Sequence, residues 1–251
     1  MSRRVLRGGD WAGEALRQLP AAADSWLRQE GRVLKADRHS VVALVQLQGE
    51  TCYVKSYAAK NVLQQGMFAL ARGRAIDAYD AAVALTGAGV AVPAAKACLL
   101  LEGSMLLVAR GLPAAQDLKA LWTQAPGPMR PQELLQTAGE TLAALHDAGF
   151  AHGDCKWSNL LWDQKQFYLV DLEAVARCPL QHRKQARDLA RFTVNAEDLG
   201  VEAEQYGYFL DGYCTRLGIG RVSAVDSMRG DLVRLRARHR DKYGERGARL
   251  V

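Results

Sequence analysis

The five cysteines, Cys52, Cys98, Cys155, Cys178 and Cys214, include no C-x-x-C pair, and so odd and scattered a set excludes a disulfide framework and a structural zinc site. No apolar run reaches the roughly 18 residues that a transmembrane helix needs. The longest candidates, near residues 97–101 and 105–109, are broken by Glu102 and Gly103. The opening residues, with Arg3, Arg4 and Arg7 around Gly8-Gly9-Asp10, lack the apolar centre of a secretion signal. Free thiols fit a reducing compartment, so a cytoplasmic protein is expected. Internal repeats and low-complexity linkers are also missing. What remains is 251 residues with 49% hydrophobic content, enough for one large domain or two small lobes. A net charge of +6 and a pI near 9.1 suit an anionic nucleotide, a phosphorylated or acidic substrate, or an anionic membrane face.

Residues 32–57 are rich in Val and Tyr, with turn candidates at 37–40 and 48–50, which predicts three antiparallel strands. An alanine-rich stretch over 62–85 has strong helix propensity and ends at Thr86-Gly87-Ala88-Gly89. Two further strands are predicted over 94–101 and 104–108. After Arg110-Gly111-Leu112-Pro113 the pattern becomes helical, most clearly over 132–148, where Leu135, Ala138, Leu142 and Leu145 recur at helical spacing. Helical segments are predicted again from about 182, including 202–217 and 222–243. The expected architecture is α+β and bilobal: residues 1–31 as an N-terminal extension, 32–110 as a small antiparallel-sheet lobe, and 111–251 as a mainly helical lobe. That is the element order of a protein-kinase-like fold.

The chemistry concentrates in His152-Gly153-Asp154-Cys155-Lys156-Trp157-Ser158-Asn159 and, after the apolar strand Phe167-Tyr168-Leu169-Val170, in Asp171-Leu172-Glu173. Asp154 and Asn159 are five apart, the spacing of the kinase catalytic loop H-R-D-L-x-x-x-N, with Gly153 in place of its arginine. One carboxylate, Asp154, can accept the proton of an attacking hydroxyl. Asn159 and Asp171 supply an amide and a carboxylate oxygen for the Mg2+ that bridges the phosphates of ATP. Taken singly these residues are ordinary turn and cap formers; their order and spacing point to phosphoryl transfer. His152 is expected to fix the loop by packing and hydrogen bonding. Lys156 sits where protein kinases often carry a lysine that neutralises the transferred group, a solvated surface lysine being the plainer alternative. Cys155 reads as a small buried thiol.

Lys55, in Tyr53-Val54-Lys55, stands where a strand lysine pairs with the α and β phosphates. The following helix should supply an acidic partner, and it offers Asp77 and Asp80 but no glutamate. The phosphate-covering loop is atypical: Lys35-Ala36-Asp37-Arg38-His39-Ser40 has no glycine where protein kinases carry G-x-G-x-x-G. Amides of a tight hairpin, helped by Arg38 or Ser40, are the remaining candidates there.

With lysine, catalytic loop and aspartate in order, the chain resembles the lipopolysaccharide core kinases, the Kdo/WaaP family, within the protein-kinase-like superfamily. The resemblance runs over about 32–214. It is carried by Tyr53-Val54-Lys55-Ser56-Tyr57, by Arg74-Ala75 leading to Val90-Ala91-Val92-Pro93, by Leu145-His146-Asp147-Ala148-Gly149-Phe150-Ala151-His152-Gly153-Asp154, and by Asp171-Leu172-Glu173 where protein kinases have D-F-G. It implies ATP-dependent phosphorylation of a heptose or Kdo hydroxyl of the lipopolysaccharide inner core, with a core sugar or its precursor as partner, at the cytoplasmic face of the inner membrane. Little room for an activation loop is left after Glu173, and no A-P-E follows, which favours a non-protein acceptor. Asp188 resembles a residue that braces the catalytic loop from below, with a plain surface ion pair as the alternative.

The basic clusters at 183–191 and 234–246 read either as contacts for an anionic inner-membrane surface or as solvated helix faces. Apart from the single Tyr243, neither is interleaved with the aromatics that stack on bases, so no nucleic acid is expected. Two rival functions share the motif: a small-molecule phosphotransferase of the aminoglycoside or choline kinase type, and a pseudokinase that binds nucleotide without turnover. The net basic charge argues against the cationic acceptors of the first, and intact Asp154, Asn159 and Asp171 argue against the second.

Overall fold

The computed structural model describes residues 3–124, 129–179, 182–244 and 247–251. The chain forms two compact units, one of residues 1–86 and 93–114, the other of residues 87–92 and 115–251.

The first unit runs β1 (Arg4–Arg7), α1 (Gly9–Gln18), α2 (Ala23–Glu30), β2 (Arg32–Ala36), β3 (Ser40–Leu47), β4 (Glu50–Ala58), α3 (Val62–Ala69), α4 (Arg74–Gly87), β5 (Ala95–Leu101) and β6 (Ser104–Arg110). Its strands make one antiparallel sheet in the order β1-β5-β6-β4-β3-β2. Strand alternation divides the apolar residues between two cores. Val41, Ala43, Val45, Cys52, Val54, Leu99, Leu106 and Val108 pack on one face against Ala12, Leu19, Ala23 and Leu27 of α1 and α2. Tyr57, Cys98, Leu100, Met105 and Leu107 pack on the other against Phe68, Ala75, Ile76 and Ala78. Residues 4–30 thus supply an edge strand and cover one sheet face, a structural part of this unit.

The alanine-rich stretch over 62–85 is two helices where one was predicted. The break falls at residues 70–73, where Ala71 (φ 54°) and Gly73 (φ 150°) leave helical space. A side chain on Gly73 would stand 3.2 Å from the Phe68 ring, so the chain turns there to let Phe68 reach the core. One consequence is that α3 leaves Val62 and Leu63 largely exposed, as is Leu70 just after it.

The second unit contains β7 (Gln116–Asp117), α5 (Leu118–Thr123), α6 (Pro131–Asp147), β8 (Phe150–Ala151), β9 (Leu160–Trp162), β10 (Phe167–Leu169), β11 (Ala176–Arg177), α7 (Arg183–Asp198), α8 (Ala203–Leu217) and α9 (Arg221–Tyr243). Short 3-10 turns span Trp157–Asn159 and Leu172–Ala174. The helices α6 and α8 cross so closely that a side chain on Gly139 would meet the Phe209 carbonyl, and one on Gly212 the Gln136 carbonyl. Phe192 of α7 stacks on Phe209 of α8, with ring centroids 4.1 Å apart. β9 and β10 form a hairpin with β7 as third strand, and β8 pairs with β11. The segment 87–92 joins this unit through Leu169, whose N–H donates to the Ala91 carbonyl at 3.0 Å.

Candidate active site

The loop from His152 to Asn159 leaves β8 and enters β9, and buried partners hold it from below. Asp188, 1% exposed on α7, accepts the N–H of His152 at 2.5 Å on one oxygen and the N–H of Gly153 at 2.9 Å on the other. Charge-assisted hydrogen bonds of this kind contribute about 1.5–3 kcal/mol each. Of the two readings of Asp188, the structure supports the buried brace. His146, also fully buried, places its Nε2 3.5 Å from the same carboxylate and its Nδ1 2.8 Å from the Tyr213 hydroxyl.

The His152 ring is buried beneath the loop. Its Nδ1 accepts the Asp154 N–H at 3.3 Å, so the proton lies on Nε2, which donates to the Val170 carbonyl at 3.0 Å. Burial pushes its pKa below the ordinary histidine range, consistent with a neutral ring. His152 therefore links the loop to the residue before Asp171. Gly153 explains the departure from H-R-D: its φ is +80°, and a side chain there would begin 2.5 Å from the Ala174 carbonyl. The turn after Asp171 lies directly against it, and no arginine fits. Trp157, 1% exposed, pins the far end, its indole N–H donating to the Phe192 carbonyl at 3.1 Å and its backbone N–H to Asn195 Oδ1 at 3.2 Å.

Above this base Asp154 carries a cation on each oxygen, Arg191 Nη1 at 3.0 Å from Oδ1 and Lys156 Nζ at 2.5 Å from Oδ2. Arg191 also donates to the Gly153 carbonyl. The Asp154 carboxylate, Lys156, Arg191 and Asn195 open on a cavity of about 500 Å³. Cys155, fully buried beside them, has its thiol pKa raised well above the usual value by burial, which removes it as a nucleophile.

Asn159 and Asp171 come together through the hairpin. Leu160 pairs with Leu169, and the Val170 N–H donates to the Asn159 carbonyl at 3.0 Å, so both residues sit at the same open end of β9 and β10. The Asn159 amide nitrogen donates to the Asp154 carbonyl at 2.9 Å, which turns its oxygen the other way. Asp171 adopts the left-handed conformation, φ 63° and ψ 54°. An amide oxygen and a carboxylate so placed are hard donors and fit a small divalent cation.

In the first unit, Lys55 lies mid-sheet on β4, between Val42 of β3 and Leu107 of β6, on the face that packs against α4, with its ammonium 5.3 Å from the Tyr57 ring centroid. Of the two acidic candidates on α4, Asp80 is committed to Arg7 of β1 by a two-pronged pair at 2.9 and 3.1 Å. Asp77, in the first turn of the helix, is left as the candidate partner. The turn between β2 and β3, which carries Arg38 and Ser40, is closed by Asp37: its N–H donates to the Ser40 carbonyl at 2.9 Å, and its carboxylate accepts the His39 N–H at 2.8 Å. That amide already serves the turn itself.

The model of the lipopolysaccharide kinase (Kdo/WaaP) family matches residues 24–213. The chain belongs to this family. It is accordingly a kinase, a phosphotransferase with an alcohol group as acceptor. Among solved structures this lipopolysaccharide kinase family member is similar to WaaP in complex with acyl carrier protein, 18% identical with a TM-score of 0.63 over 97% of this chain and 100% of that one. That likeness gives the fold, protein-kinase-like with mixed helix and antiparallel sheet. Vaccinia related kinase 3 matches at 16% identity and a TM-score of 0.40 over 58% of this chain and 47% of that one. No curated protein matches significantly in sequence.

Arg191 is the site residue that sequence reading of this lipopolysaccharide kinase placed elsewhere, in a basic cluster assigned to membrane or solvent. The available signal was its spacing: it follows Asp188 by three residues, so a helix that aims Asp188 at the loop brings Arg191 to the same side. In the second cluster Arg234 pairs with Asp231, and Arg236 with buried Glu197. Arg246 lies outside the described residues. Among the described residues no helix is long and apolar enough to cross a membrane.

Proposed function

We propose that this lipopolysaccharide kinase transfers the γ-phosphoryl group of ATP to a hydroxyl of an inner-core sugar, a heptose or Kdo. The observation that carries this reading is the Asp154 carboxylate, held over a buried scaffold and opening with two cations on a cavity of sugar size. Asp154 accepts the acceptor's hydroxyl proton as that oxygen forms its bond to the γ-phosphorus. The bond from the γ-phosphorus to the bridging oxygen breaks, and ADP leaves with the electron pair. Lys156 releases Asp154 and moves to the charge of the transferred group, while Arg191 keeps the carboxylate oriented. Asn159 and Asp171 would hold magnesium, which when bound offsets phosphate charge. Lys55, with Asp77 as its acidic partner, anchors the α and β phosphates, and Arg38 and Ser40 contribute at the turn.

The cations around Asp154 disfavour the cationic acceptors of aminoglycoside and choline kinases. Contact with an anionic inner-membrane face is supported by the neighbourhood of α3, where Val62, Leu63 and Leu70 are exposed beside Lys60 and Arg72, the composition of an interfacial surface. The test is magnesium-dependent ADP release by the purified chain with core lipopolysaccharide, with aminoglycosides and with no acceptor. Release is expected only with the first, at the mass gain of one phosphate on a core sugar. Equal release in all three arms would overturn the assignment.

A further inference from the structure

The cavity in front of Asp154 has a second wall. Leu235, Arg238, His239 and Tyr243 of α9 line it opposite residues of α7, and their spacing of three, one and four places them along one side of the helix. The family match ends at residue 213, so this wall is the part of the site that the shared family sequence does not describe. The register of α9 on α7 is fixed by an ion pair and a histidine–carboxylate hydrogen bond. Arg236 reaches buried Glu197 at 2.5 and 3.0 Å, and His239 Nδ1 lies 3.0 Å from Asp198 Oδ2. Ala224, Met228 and Leu232 bury the rest of that face.

The nitrogen-bearing side chains around the cavity are unequally engaged. Lys156 and Arg191 are taken up by Asp154, and His239 by Asp198. Arg238, also a lining residue of the cavity, makes no ion pair among the described residues. An arginine, with its fork of N–H donors, lining the same cavity as a carboxylate that must receive a hydroxyl is suited to a phosphate or carboxylate elsewhere on the same acceptor. Tyr243, with its ring 5.5 Å from that of His239, and Leu235 add apolar surface for the sugar's C–H faces.

We propose that α9 is the acceptor-selecting wall and that Arg238, steadied by the His239–Asp198 pair, recognises an anionic substituent, phosphate or carboxylate, on the acceptor sugar. This rests on the reading of Asp154 as the residue that receives the acceptor hydroxyl. Arg238 then decides which sugars stay long enough to react, and Asp154 decides whether they do.

The test measures binding of glucose 6-phosphate, glucuronate and glucose to the full chain by calorimetry, with a non-hydrolysable ATP analogue and magnesium at saturation to occupy the nucleotide site. The two anionic sugars separate phosphate from carboxylate recognition. Both, or one of them, are expected to bind at least tenfold more tightly than glucose; R238E is expected to abolish that preference, and R238K to keep it within about threefold. In turnover on core lipopolysaccharide, R238E should raise the acceptor KM about tenfold with the ATP KM unchanged. Equal binding of all three sugars, or an R238E chain of wild-type helicity that retains the preference, would overturn the proposal. A chain that binds anionic sugars through Arg238 yet transfers nothing to core lipopolysaccharide would instead refute the proposed function. Turnover with an R238E acceptor KM equal to wild type would refute only the role of α9.

Discussion

The loop at residues 152–159 and the turn at residues 37–39 are both short, polar and assigned to phosphate chemistry, yet they are built in opposite ways. The loop borrows its shape from distant, mostly buried groups: Asp188 beneath its amides, the Val170 carbonyl on His152, Phe192 and Asn195 on Trp157. The turn closes on its own Asp37, and residues 32–38 are all exposed. A proton acceptor must be held within a few tenths of an ångström of a single hydroxyl, which calls for a scaffold. A chain of phosphates carries enough charge to be held by side chains such as Lys55 without a shaped cradle of amides.

The largest effect that would test this contrast is at Asp154. Asp154→Ala should lower kcat by roughly 10²–10⁴-fold, the usual worth of a positioned base, while ATP affinity measured by fluorescence titration stays near wild type. A loss below tenfold would move the proton acceptor elsewhere. Next comes the scaffold: Asp188→Ala strands two loop N–H groups, and at about 1–3 kcal/mol per unsatisfied donor it should destabilise the chain by about 2–6 kcal/mol in urea titration. Wild-type stability would mean that the loop, like the turn, shapes itself. The smallest effect is expected at the turn, where Arg38→Ala combined with Ser40→Ala should change the ATP KM by less than about threefold, the scale of exposed charge contacts. A tenfold rise would show that the turn is a working cradle and erase the contrast.

The element order was legible because the alternation of strands 32–57 and the periodicity of 132–148 are strong local signals. The motif from His152 to Asp171 was legible because its spacing is local too: Asn159 and Asp171 lie at the two ends of one short hairpin, so sequence distance and spatial distance agree. The chain break at 70–73 was hidden because alanine-rich residues favour helix whatever the tertiary demand, and only the packing of Phe68 calls for the turn. Arg191 and the α9 wall were hidden for the same kind of reason. A basic run reads as a solvated face until a partner 37 residues away, Asp154, appears beneath it. Asp188 stood between, since its spacing to Arg191 was visible but its burial was not.

Asp171 occupies left-handed backbone, a conformation that asparagine and glycine tolerate better than other residues. Both are reached from an aspartate codon by a single base change. A descendant of this chain could therefore lose the carboxylate proposed to hold magnesium while the backbone at 171 stays as it is or relaxes. The backbone conformation itself does not oppose such a change at this position, whereas at Gly153 every substitution meets the Ala174 carbonyl. Loss of activity in this lineage would have a short path through residue 171, and homologues carrying asparagine or glycine there are the place to look for nucleotide-binding proteins that no longer transfer phosphate.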